Sequence, residues 1–105
     1  MNHFAATPEP PYYAVIFTST RTAGDHGYET MAETMLELAS RQPGFLGFES
    51  ARAAVGISVS YWADLESIRR WKRDVAHRKA QRRGREEWYL DYRVRIAKVE
   101  YDYSM

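Results

Sequence analysis

The chain has 105 residues, of which 45% are hydrophobic and 28% charged, the composition of one globular domain rather than a disordered segment. It contains no cysteine, which excludes a disulfide scaffold, a thiol nucleophile and a cysteine-ligated zinc or iron–sulfur site. The net charge of +1 conceals a division: residues 1–68 carry three basic and eight acidic side chains, residues 69–105 twelve basic and six acidic. No apolar run approaches the roughly 18 residues needed to span a bilayer, and residues 1–8 lack the basic and apolar regions of a signal peptide. A cytoplasmic protein that binds no membrane is the expectation.

Residues 1–11 hold three of the four prolines and are expected to form a flexible arm ahead of a single domain over 12–105. Tyr12 to Arg21 is β-branched and aromatic, apolar on both parities, which predicts a strand buried on both faces. Gly24 to Gly27 is a turn. Tyr28, Met31, Ala32, Met35, Leu38 and Ala39 follow helical spacing with Glu29, Glu33 and Glu37 between them, and Gln42-Pro43-Gly44 ends the helix. Phe45 to Ala53 and Gly56 to Ala63 are strand-like, and their short separation predicts a hairpin. Asp64 is a candidate N-cap for a second helix on the stripe Leu65, Ile68, Trp71, Val75, with a break expected near Asp74 and helical character running to about Glu87. The last segment, Trp88 to Tyr103, changes the parity of its apolar residues after Ile96, which predicts a long strand with a bulge.

The order β-α-β-β-α-β is the split βαβ, ferredoxin-like pattern, an α+β fold with four antiparallel strands and both helices on one face. The two-sided apolar character of the first strand leaves the other face in need of a cover. A homodimer with the two sheets face to face is the economical one.

Pro43-Gly44-Phe45 opening the second strand, the unit Tyr61-Trp62-Ala63-Asp64-Leu65-Glu66-Ser67-Ile68 leading to Trp71, then His77 and the run Ala80 to Tyr89, together resemble the antibiotic biosynthesis monooxygenase (ABM) family, in particular its small bacterial members of unassigned substrate. The resemblance spans about residues 12–103. It implies a dimeric α+β barrel of ferredoxin-like subunits. It also implies chemistry of the kind found in oxygenases of polyketide quinone precursors, which use no metal or flavin. Related domains degrade haem, and in that branch a tryptophan at the position of Trp71 presses on the porphyrin. The iron-binding histidine of that branch is replaced here by Gln81, a poor iron ligand, so haem breakdown is not expected.

His77 is the one histidine inside a segment read as structured, and its arginine neighbours disfavour the imidazolium, leaving a base near neutral pH. The three histidines have no metal-ligand spacing, so no metal site is expected. Trp71, Phe17 and Tyr61 are candidate walls for an aromatic substrate, and Arg85 or a neighbour would supply positive potential. Each also reads as ordinary core or surface. The basic run from Arg69 to Arg85 lacks any recognition motif, and a pI near 8.0 is too low to point to nucleic acid. Three functions fit: an oxygenase acting on an aromatic or quinone-type small molecule without a cofactor; a non-catalytic binder of haem-like or aromatic ligands; and a dimeric stress or interaction protein with no ligand pocket.

Overall fold

A computed structural model describes residues 4–24, 27–74 and 88–105. The elements are β1 (Tyr12–Arg21), α1 (Tyr28–Ser40), β2 (Phe45–Arg52), β3 (Gly56–Trp62), α2 (Leu65–Arg73) and β4 (Tyr89–Val99). The four strands form one antiparallel sheet in the order β2-β3-β1-β4. This is the split βαβ arrangement expected from the order of apolar periods.

Antiparallel partners place their side chains on the same face of a sheet. Trp62 pairs with Tyr13 and with Phe45, and these three join Ala39, Ile68 and Trp71 in one apolar cluster with Val15, Met35 and Leu38. That cluster defines the helix-covered face, and both α1 and α2 contribute to it. Trp62 is fully buried and donates its indole N–H to Ser60 Oγ at 2.9 Å, so the large ring is packed without leaving its polar atom orphaned.

The local signals act as expected at α2. Asp64 accepts from the Ser67 backbone N–H at 2.7 Å, and that bond holds its carboxyl below the usual range. The helix stops at Asp74, whose backbone is extended at φ −60° and ψ 132°. Continuation toward Glu87 lies outside the described residues. At the other helix–strand junction Gly44 takes φ +85°, and its carbonyl accepts the Ala63 N–H at 2.7 Å. A Cβ built there would stand 2.7 Å from Ser67 Cβ, so both the left-handed backbone and the space demand glycine.

Two expectations change in detail. The bulge of the last strand is not near Ile96: the register with β1 is unbroken from Asp91 to Val99, and the irregularity is at Leu90, where Thr20 faces Asp91 and Arg21 faces Tyr89. The parity switch in the sequence instead reflects a strand that is apolar on both faces near its end, with Ile96 on the helix-covered face and Ala97 and Val99 on the other, and residues 100–103 lie beyond the ladder. The hairpin between β2 and β3 closes with Arg52 opposite Gly56 and a second irregularity between Phe45 and Gly47.

Residues 4–11 lie against the uncovered face. Ala5 N–H donates to Glu49 Oε2 at 2.8 Å, and a Cβ on Gly47 would stand 2.7 Å from Ala5 Cβ. The chain end reaches the same region, where the Tyr12 hydroxyl donates to Asp102 and accepts from Thr7 Oγ1 at 3.1 Å.

Candidate functional site

The sheet separates the side chains singled out in the sequence. Trp71 is buried and stacks on Trp62, with ring centroids 6.2 Å apart and planes 27° from parallel. Phe17 shares the helix-covered face, being two residues on from Val15, but stands about 13 Å further along β1 than Tyr13, at roughly 3.3 Å per residue. Tyr61 alternates with Trp62 and so occupies the opposite face, where it meets Tyr12 edge-on at 5.8 Å and donates to Glu49 Oε1 at 2.7 Å. Burial, then that bond to a carboxylate, push the Tyr61 hydroxyl up to about 12. Trp71 and Phe17 are therefore on one side of the sheet and Tyr61 on the other; the three do not converge. His77, Gln81 and Arg85 lie outside the described residues.

A group that sequence reasoning missed surrounds Phe17. Its ring stacks on Tyr92 at 5.4 Å and meets Tyr89 edge-on at 5.2 Å. Tyr28, at the start of α1, meets both Trp88 and Tyr89 edge-on at 5.7 Å. The bulge at Leu90 is what places Tyr89 on the same face as Tyr92, three positions away instead of two. Burial raises the Tyr89 hydroxyl well above its usual value, a hydrogen bond with Tyr28 adds to this, and Arg52 and Arg21 pull weakly the other way. Tyr89 is thus a neutral phenol at physiological pH, hydrogen-bonded with Tyr28.

Two guanidinium groups border these rings. Arg21 lies over the Tyr28 ring, with Cζ 3.6 Å from the centroid, a cation–π contact. Arg52 donates through Nη2 to the buried Ser19 hydroxyl, and Ser19 is the cross-strand partner of Tyr92. Between this group and the Trp62–Trp71 stack, β4 presents Val94 and Ile96, 40% and 45% exposed, opposite Phe17 and Val15. The result is a half-buried group of aromatic rings with two partly exposed aliphatic side chains beside it and two guanidinium groups at its border.

The opposite face carries a groove of about 300 Å³ lined by Thr18, Thr20, Val55, Asp91, Arg93 and Arg95 among others. It opens on the face that lacks helices. Among the described residues no group of three acidic or histidine side chains could hold a metal ion, and no helix is long and apolar enough to cross a membrane.

A family model described as antibiotic biosynthesis monooxygenase matches residues 11–83. The chain belongs to the antibiotic biosynthesis monooxygenase family. It is 50% identical over 102 residues to the uncharacterised protein YqjZ of Bacillus subtilis (strain 168), covering 95% of this chain and 90% of that one. It is 30% identical over 92 residues to a jasmonate monooxygenase of Pyricularia oryzae (strain 70-15), covering 83% of this ABM chain but only 43% of that protein. Among solved structures it resembles SnoaB, a cofactor-independent oxygenase of Streptomyces nogalater, with TM-score 0.71 and 13% identity over 91% of this chain and 98% of that one. Rv0793 of Mycobacterium tuberculosis gives TM-score 0.75 and 8% identity, over 90% and 99%. At these identities the two structural likenesses establish the ABM fold and nothing finer.

The missed residues left only faint marks in the sequence. Tyr92 was visible as part of an alternating run, but which rings Phe17 would meet depends on strand order and on the Leu90 bulge. Arg21 and Arg52 sit at strand ends, where a basic residue reads as solvated surface until register shows what lies beside it.

Proposed function

We propose that the protein is a monooxygenase that acts without a metal or flavin on an aromatic or quinone-type small molecule. The observation that carries this reading is the half-enclosed group of Phe17, Tyr28, Tyr89 and Tyr92 bordered by Arg21 and Arg52 on the helix side of the sheet. Membership of a monooxygenase family supports it, as do relatives named as a jasmonate monooxygenase and a cofactor-independent oxygenase.

Such chemistry needs a substrate that reduces dioxygen once deprotonated. His77 removes the proton, the guanidinium groups stabilise the resulting anion, and the aromatic rings keep bulk water away. The substrate carbon is oxidised; one oxygen atom forms the new carbonyl, and the other leaves as water with the two hydrogens lost by the substrate. Arg85 adds positive potential, while Trp71 packs on Trp62 and supports the sheet beneath the site.

The working unit in this reading is a homodimer through the uncovered sheet face. Ile16, Ile57, Val59, Ala97 and Val99 share that face, and Ile57 is 47% exposed in one subunit. Sedimentation at micromolar concentration is expected to give twice the chain mass.

The test is oxygen uptake by chelator-treated protein with anthrone-type substrates. Turnover that falls at least tenfold in Phe17→Ala and Tyr92→Ala, and is abolished in His77→Ala, is the expected result. No oxygen uptake, together with no binding of the same substrates, sinks the enzyme reading.

A further inference from the structure

Arg52 has a seat built for it. Its guanidinium bonds Ser19 Oγ, a hydroxyl on a residue only 2% exposed, and it passes over Gly56, where a Cβ would stand 2.6 Å from Arg52 Nε and closer still to Cζ. Gly56 is Arg52's own cross-strand partner and also pairs with Ser19. Three strands therefore fix one charged head: β2 supplies it, β3 leaves the space, and β1 supplies the acceptor. Among the described residues salt bridges link Arg41 to Glu37 and Arg69, Arg70 and Arg73 to Glu66, whereas the hydrogen-bond partner of Arg52 is a neutral hydroxyl.

We propose that this seat makes Arg52 the carboxylate-recognising residue of the aromatic site, so that the ligand is a planar aromatic acid whose carboxylate meets the Arg52 fork while its ring lies on Phe17 and Tyr92. The inference rests on the aromatic-substrate reading above and adds the charged group that the substrate carries. Ser19 and Phe17 alternate on the same face of β1, and Tyr92 is paired with Ser19 and stacked on Phe17, so the anchored guanidinium stands at the rim of those two rings. A guanidinium has five N–H donors in a planar fork, and the bond to Ser19 occupies one of its nitrogens. The remaining fork matches the two oxygens of a carboxylate better than the single acceptor of a phenolate. Holding the head in place beforehand reduces the freedom lost on binding. Arg21 over Tyr28 adds positive potential from the far side of the rings.

The experiment is calorimetric titration of the full chain with two matched probes, anthraquinone-2-carboxylate and its neutral carboxamide. The readout is the ratio of their Kd values. Wild type is expected to favour the carboxylate by roughly tenfold, the scale of one charge-assisted contact at a partly exposed site. Arg52→Gln is expected to bring the ratio to about one. Gly56→Ala, which keeps the charge but fills the seat, is expected to reduce it several-fold, and Arg41→Gln, just past the end of α1, to leave it unchanged as a control for net charge. A wild-type ratio near one, or a preference that survives Arg52→Gln, overturns the inference while leaving the aromatic site standing if both probes bind. If neither probe binds, the aromatic site and the inference fall together.

Discussion

Replacing Trp71 by alanine separates a packed tryptophan from one that lines ligand space. The ring is 8% exposed, stacked on the fully buried Trp62, and grouped with Ala39 and Ile68. An aromatic side chain of this size buries about 150–250 Å², worth about 4–6 kcal/mol at roughly 25 cal/mol per Å². Large-to-small core substitutions at tryptophan cost about 3–5 kcal/mol by direct comparison, so the two routes agree. Against a total of about 5–15 kcal/mol, this is a large share of the stability. At about 3–5 kcal/mol it corresponds to a fall in melting temperature of roughly 12–40 °C at about 4–8 °C per kcal/mol. Trp71→Phe keeps an aromatic body on Trp62 and is expected to lose less than half as much. The assay is thermal and urea unfolding followed by far-ultraviolet circular dichroism, at one fixed protein concentration, because association would make the midpoint concentration-dependent. A Trp71→Ala midpoint within about 5 °C of wild type would refute the packing argument and assign the ring to the wall of a cleft.

Gly44→Ala is expected to cost about 2–4 kcal/mol from left-handed strain and overlap with Ser67, and adding Ser67→Gly should recover only the overlap part; full recovery would show that the backbone is not strained. Tyr61 has its hydroxyl raised from 10.0 to about 12, so the stability it contributes is present below pH 10 and is lost as pH rises toward 12. Tyr61→Phe should flatten that alkaline loss and remove one late-ionising phenol from the 295 nm titration; an unchanged titration curve would contradict the assignment. Ser19→Ala, which deletes the acceptor of Arg52, is expected to lower the affinity for an aromatic carboxylate several-fold while leaving the fold's circular dichroism spectrum unchanged. Equal affinity in that variant would mean that the seat does not position the guanidinium.

Local chemistry was legible wherever one stretch of chain carried the whole reason. The Asp64 cap, the stop at Pro43-Gly44, the helical stripe of Ile68 and Trp71 and the order of the six elements all follow from spacing and side-chain type over a few residues. The family resemblance rested on those same short strings, and the match over residues 11–83 agrees with it. The facing of Tyr61 was not legible, because Tyr61 and Trp62 are both large aromatics and alternation says that they diverge without saying which turns to the helices. Nor was the company of Phe17. Tyr89, Tyr92 and Tyr28 come to it from positions 11 to 75 residues away, through strand pairing, a bulge and a helix start. Arg52 and Ser19 are 33 residues apart, and only the register that sets Gly56 between their strands gives the guanidinium room. Short-range preference sets the elements and their order; which side chains meet across them is decided by pairing and packing, because contacts between distant residues leave no period in the chain.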